Sequence, residues 1–373
     1  MLPLPAAYFV EKLALLEARL REAILGGRDA ASIGRASATV REGAPGGDYA
    51  GDTIYGIDER GEDTLLAFCD EWAREVDQPF VLIAEGLPGQ GRRAYPEGVD
   101  EAAAAFECIV DPIDGTRGLM YDKRSAWALA AVAPGQALLG RRPTLADVAV
   151  AVQSELPTSR ARLVDTLWAT RSAGAGGETL DLVSGARHPL RPAPSRATGL
   201  GHGFATIAKF FPGTKETAVW LEERLFAEVV GEHAGGAPLV FDDEYISSGG
   251  QLYELMVGHD RFIADLRPVF AAAQETKDEV RRTNGVGAPP DSSFAVRPPS
   301  ATKRLCARPY DLCTALIAEE AGVIVTDEWS RPLRAPLDTE SDVAWVGYAN
   351  PALRAQIEPV LQRLLRELGM PAP

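Results

Sequence analysis

Phe9, Leu13, Leu16, Leu20 and Ile24 recur at steps of four and three, which predicts one buried stripe of an amphipathic helix. Glu11, Lys12, Glu17, Arg19, Arg21 and Glu22 interrupt the run, so it cannot span a membrane. A second helix is predicted to carry Leu65, Cys69, Trp72 and Val76 on one face and to stop at Pro79. The period then changes. Phe80–Ala84 is a short, wholly apolar run, the pattern of a strand covered on both faces, and Phe106–Val110 predicts the next strand. Ser125–Ala133 and Asp147–Ser154 predict further strands. Leu163–Leu190, β-prone and broken by glycines, predicts hairpins.

Beyond a joint rich in proline and glycine at Pro192–Gly203, helices and strands alternate. Helices are predicted at Thr217–Val230, Gly249–Val257, Leu312–Ala321 and Pro351–Leu368, the third closed by Gly322. Strands are predicted at Leu239–Phe241, Arg261–Asp265, Val323–Val325 and Ala344–Gly347. Residues 26–51 read as irregular, and the polar stretch 272–300 reads as an insertion or lid. There is no internal repeat. The joint divides the 373 residues into an N-terminal α+β part, 1–195, and a C-terminal α/β part, 196–373, with the site between them.

Composition narrows the function. Hydrophobic residues at 46% and charged residues at 24% are ordinary for a globular chain and exclude wholesale disorder. The net charge of −15 repels nucleic-acid phosphates, so no nucleic-acid partner is expected. An anionic substrate would need a bound cation to reverse the local field. Cys69, Cys108, Cys306 and Cys313 form no CxxC pair, and the four histidines show no metal-binding spacing, which argues against a disulfide framework and a zinc site. Free thiols and the lack of a secretory apolar segment predict a cytoplasmic protein with no membrane partner.

Candidate chemistry concentrates in Asp111-Pro112-Ile113-Asp114-Gly115-Thr116. Two carboxylates follow a buried strand, Pro112 keeps Asp111 extended, and Gly115 permits a tight turn. Such a turn offers hard oxygen ligands suited to Mg²⁺ and amides suited to phosphate. Three more acids join it, each with an ordinary explanation of its own: Glu85 as a loop carboxylate, Asp311 as a helix N-cap and Asp58 as a helix-start acid.

Together these residues resemble the lithium-sensitive, magnesium-dependent phosphatase superfamily, which includes inositol monophosphatases, bisphosphate nucleotidases and fructose-1,6-bisphosphatases. The segment Asp111–Thr116 matches the first family motif in full. Asp311 with Glu319-Glu320-Ala321-Gly322-Val323 resembles the second, with Tyr310 and Val323 in place of the usual Trp and Gly. Ile83-Ala84-Glu85-Gly86 resembles the Gly-Glu-Glu element, with Gly86 in place of the second Glu, and Asp58 with Glu62 resembles the early Asp-x-x-x-Glu element. Asp114–Leu119 is closer to the bisphosphate-nucleotidase form than to the inositol form, and Ser247–Gln251 resembles a substrate-contacting turn. The similarity runs from Asp58 to Asn350.

The resemblance implies an α/β fold, a layered αβαβα sandwich, and hydrolysis of a small phosphomonoester (an inositol, sugar or nucleotide phosphate) by a metal-activated water. Glu85, Asp111 and the carbonyl of Ile113 would hold one Mg²⁺; Asp111, Asp114 and Asp311 a second; Asp58 a third through water. Thr116, bonded to Asp58, would position the attacking water. The amides of Gly115 and Thr116 would take phosphate oxygens, and Arg117, Gly250 and Gln251 would contact substrate. Lithium should inhibit. Specificity is expected from residues 249–251, 117–123 and 272–300. The partner would be a small phosphorylated metabolite, with a homodimer left open. Five carboxylates carry −5, so two Mg²⁺ leave −1 and three leave +1, which makes metal obligatory for phosphate binding. Two alternatives stand beside this: a non-catalytic relative that binds Mg²⁺ or a phospholigand, and 3′(2′),5′-bisphosphate nucleotidase as the specific activity. A haloacid-dehalogenase-type phosphatase needs carboxylates two apart rather than three, and a P-loop NTPase is excluded because no GxxxxGK[ST] occurs.

Overall fold

The predicted stripe forms one face of α1 (Ala6–Gly26) in the computed structural model, which describes residues 1–26, 56–231, 239–272 and 306–370. All five stripe residues are buried, and they pack with α2 (Gly56–Glu75) on one face of an eight-stranded sheet. That sheet contains β1 (Phe80–Ala84), β2 (Arg92–Tyr95), β3 (Phe106–Asp114), β4 (Ala126–Pro134), β5 (Val150–Leu156), β6 (Leu163–Thr170), β7 (Gly174–Asp181) and β8 (Arg187–Leu190), in the order β2-β1-β3-β4-β5-β6-β7-β8. Its central strands lack an apolar-polar alternation because both faces are covered. Phe80, Leu82 and Ala84 join the α1/α2 cluster, while Val81 and Ile83 join a second cluster on the other side. Between β3 and β4 lies the short helix α3 (Thr116–Met120).

The chain leaves the first sheet at Leu190 and enters a second at β9 (Gly203–Ile207), across the expected joint. The outer helix α4 (Lys215–Val230) follows, then β10 (Val240–Phe241), α5 (Ser248–Met256) and β11 (Asp260–Asp265). After them come α6 (Ala315–Ala321), β12 (Ile324–Thr326), β13 (Trp345–Tyr348) and α7 (Pro351–Glu367). The second sheet has the order β10-β9-β11-β13-β12. Helices α5 and α6 lie between the two sheets, and α4 and α7 cover the far face of the second. The result is the αβαβα layering expected, and one core cluster draws residues from both sheets.

Three boundaries differ from the sequence pattern by three residues or more. Strand β3 continues to Asp114 instead of ending at Val110, and β5 starts at Val150 after a capped turn at Leu145–Asp147. The helix expected from Leu312 starts at Ala315, because Tyr310–Leu312 forms a separate 3₁₀ turn. Apart from their first residues, the segments 26–51 and 272–300 lie outside the described residues. Among the described residues no helix is long and apolar enough to cross a membrane.

Candidate active site

In a regular strand, residues three apart point to opposite faces, which would separate Asp111 from Asp114. A bulge in β3 prevents this. Asp111 pairs with Leu129 and Asp114 with Trp127, so Pro112 and Ile113 together oppose Ala128 alone. Leu129 and Trp127 both belong to the cluster between the sheets, and directly paired residues share a face, so both carboxylates face that middle layer. The extra residue is stabilised locally: the amide of Ile113 donates to Asp111 Oδ1 at 3.0 Å.

Asp311 approaches from the other half of the chain. Carboxylate oxygens of Asp111, Asp114 and Asp311 all lie within 4.8 Å of one another. Asp311 does not cap α6, whose N-cap position is held by Thr314. Its Oδ2 instead accepts from the amide of Arg308 at 2.6 Å, which fixes the preceding turn. Asp114 Oδ2 accepts from Ser247 Oγ at 2.9 Å and from the amide of Gly249 at 2.6 Å, tying β3 to the start of α5. Parallel pairing of β1 with β3 sets Ala84 beside Val110, so Glu85 emerges beside Asp111.

From α2, Asp58 completes the group. Thr116 Oγ lies 3.2 Å from Asp58 Oδ1 and 2.9 Å from the carbonyl oxygen of Ile113. A cleft of about 210 Å³ is lined by Asp58, Glu85, Asp111, Ile113, Asp114, Gly115, Thr116, Arg117 and Asp311 together. Gly250 and Gln251, expected as substrate contacts, are not among its lining residues. Gly250 packs so tightly on Tyr245 that a Cβ would meet the ring at 2.5 Å, and Gln251 is buried. Ser247 and Ser248 line the cleft in their stead.

Further residues with no site role expected from the sequence complete the cleft. Phe210, Phe211, Ile246, Arg267, Cys306, Ala307 and Tyr310 line the C-terminal side. Only the Asp-x-x-x-Glu spacing signalled Glu62, which reaches the cleft one helical turn beyond Asp58. A Cβ on Gly86, whose φ is +84°, would lie 2.0 Å from Glu62 Oε1. Gly86→Ala should therefore displace the Glu62 side chain and cost about 1–2 kcal/mol for the left-handed backbone. Thermal denaturation checks this; an unchanged melting temperature would contradict it.

Electrostatics favour either protons or a cation at the site. Burial raises the carboxyls of Asp111, Asp114 and Asp311 above their ordinary range, and for Asp111 and Asp311 neighbouring carboxylates raise them further. Burial, with Asp58 and Glu85 nearby, pushes Glu62 up to about 7. Convergent buried carboxylates of this kind are a donor set for a hard divalent cation such as Mg²⁺. The pH consequence has a definite sign. Groups that hold protons more tightly folded than unfolded lose stability as pH rises from about 4 to about 7. Metal-free protein should melt lower at about pH 7.5 than at about pH 5, and Mg²⁺ should raise the melting temperature more at the higher pH. A Mg²⁺ effect equal at both values, read by scanning fluorimetry, would count against a site built from these groups.

No protein-family model matches the chain, and no curated protein matches it. Solved structures do. A holo-form fructose-1,6-bisphosphatase of Leishmania major is 14% identical, with a TM-score of 0.57 over 96% of this chain and 91% of that one. The extragenic suppressor protein SuhB of Bartonella henselae is 14% identical, with a TM-score of 0.56 over 95% and 99%. An IMPase of Thermotoga maritima is 16% identical, with a TM-score of 0.55 over 96% and 100%. The chain shares its fold with these three structures, at the level of architecture.

Proposed function

We propose that the protein is a Mg²⁺-dependent phosphomonoesterase that cleaves a small phosphorylated metabolite with a water molecule. One observation carries this: Asp111 and Asp114 of β3 and Asp311 of the turn before α6 bring their oxygens within 4.8 Å of one another, beside a Thr116–Asp58 pair. Asp111, Asp114, Asp311 and Glu85, with the carbonyl of Ile113, would hold two ions, and Asp58 would help hold a third. Bound Mg²⁺ would acidify water, polarise the ester and stabilise the leaving oxygen. Thr116 Oγ has one proton to share between Asp58 Oδ1 and the Ile113 carbonyl oxygen, which leaves its lone pairs to orient a water hydrogen. Asp58 then receives the proton as the water attacks phosphorus. Gly115 and Thr116 amides, with Arg117, would steady the phosphate.

A phosphate-release screen over inositol, sugar and nucleotide monophosphates, with Mg²⁺ and with excess chelator, tests the reading; release from none would leave a binding relative. Asp311→Asn is the sharper variant. Asn can still accept from the Arg308 amide, so the turn should hold and the melting temperature change little. Activity should fall at least about a hundredfold, because a charged ligand is lost. Retained activity with unchanged Mg²⁺ affinity would reduce Asp311 to a turn residue.

A further inference from the structure

Gln153 is fully buried in β5 among Val150, Ala151, Val152 and Leu156, and it does not line the cleft. A buried side-chain amide is costly unless both of its ends find partners. Strand pairing shows which way it faces. Asp111 pairs with Leu129 and Leu129 with Gln153, so one row of the first sheet turns all three toward the middle layer.

Two different helices satisfy the amide there. Gln153 Nε2 donates to the carbonyl oxygen of Gly249 at 2.8 Å, and Gln153 Oε1 accepts from Thr314 Oγ at 2.8 Å. Gly249 lies in the first turn of α5, and Thr314 holds the N-cap position of α6. A carbonyl can only accept, which fixes the orientation of the Gln153 amide. Thr314 is also fully buried, and its side chain makes no capping bond to α6. Its hydroxyl is used on Gln153 instead.

Each partner lies next to a carboxylate of the site. The amide of Gly249 donates to Asp114 Oδ2 at 2.6 Å, so Gly249 holds Asp114 with its N–H and Gln153 with its carbonyl. The fit is close, because a Cβ on Gly249 would meet Leu129 Cδ2 at 2.6 Å. Asp311 lies in the 3₁₀ turn Tyr310–Leu312, which leads through Thr314 into α6. Gln153 therefore spans the segment that fixes Asp114 and the segment that carries Asp311. An apolar side chain could fill the same volume, but only directional bonds fix the spacing of the two segments.

We propose that Gln153 is a positioning residue that sets the separation of Asp114 and Asp311, and through it the affinity of the divalent-cation site they form with Asp111. The inference rests on the metal-dependent reading of the same cleft. Groups that orient metal ligands from behind are worth roughly 10- to 100-fold in metal affinity.

The test is calorimetric titration of Mg²⁺ into the full chain, well below the melting temperature of every variant. Gln153→Met keeps the length of the side chain and removes both bonds. Thr314→Val keeps the shape and removes one. Each should weaken Mg²⁺ binding at least about tenfold. Thr314→Ser keeps the hydroxyl and should bind Mg²⁺ like the unmodified protein. Because both changes break one strut, the double variant should be little worse than Gln153→Met. A merely structural Gln153 would lower the melting temperature and leave Mg²⁺ affinity unchanged, and that result would overturn the proposal. Equal losses in Thr314→Ser and Thr314→Val would overturn it too. If Gln153→Met does not fold, the two Thr314 variants decide. Phosphate release is scored separately. Weakened Mg²⁺ binding in the variants of a protein that releases phosphate from no ester would sink the phosphatase reading and keep the strut. An unmodified protein that binds no Mg²⁺ would overturn both.

Discussion

Replacing Asp111 by Asn should abolish phosphate release and, at the same time, raise the melting temperature of the metal-free protein. Both effects come from one carboxylate. Asp111 is buried at 7% exposure beside Asp114, Asp311 and Glu85, and without a cation the group repels itself. Asn keeps the volume, and its side-chain oxygen can still accept from the Ile113 amide, so the bulge survives. Removing one buried negative charge should stabilise the metal-free fold by about 1–2 kcal/mol. The same change takes away a residue assigned to two ions, and the lost Lewis-acid chemistry should cost at least about 10³-fold in kcat/KM. Mg²⁺ should no longer raise the melting temperature appreciably. Destabilisation of the metal-free variant, or Mg²⁺ stabilisation equal to that of the unmodified protein, would refute the electrostatic description of the cleft.

Asp58→Asn and Thr116→Val should each lower kcat by roughly 10²–10⁴-fold while leaving the tighter Mg²⁺ sites occupied. The reason lies in their shared hydrogen bond, 3.2 Å long, between α2 and the start of α3. Each residue alone has an ordinary structural use. Together they fix one water, so the double variant should be little worse than either single one. Glu85, Asp111, Asp114 and Asp311 are untouched, and calorimetric Mg²⁺ titration should show their sites intact. Strictly additive losses, or loss of the tight sites in Asp58→Asn, would show that the two residues do not act on one water.

Part of the carboxylate cleft was legible in the sequence because Glu85 and Asp111 each follow a strand-forming run and Asp58 stands in the first turn of a helix. Glu85 after Phe80–Ala84 and Asp111 after Phe106–Val110 are the plainest cases. How Asp111 and Asp114 come to face one way was not legible. The bulge depends on register against β4, and only the paired strands Leu129–Trp127 reveal it. Asp311 was ambiguous for a similar reason: composition favours a helix cap, whereas Thr314, bonded to Gln153, starts α6 three residues later. The C-terminal side of the cleft was least visible. Phe210 and Phe211 sit in a loop with no periodicity, and Arg267 joins them only because β9 and β11 pair in parallel. Conversely, Gly250 carried a glycine signal that the fold spends on packing against Tyr245.

The decisive measurement is phosphate release by the metal-free full chain as Mg²⁺ is titrated in, with the ester held saturating. Release should be absent in excess chelator, rise with Mg²⁺ to a plateau, and vanish again when chelator is restored. Undiminished release in excess chelator would contradict a metal-held cleft outright.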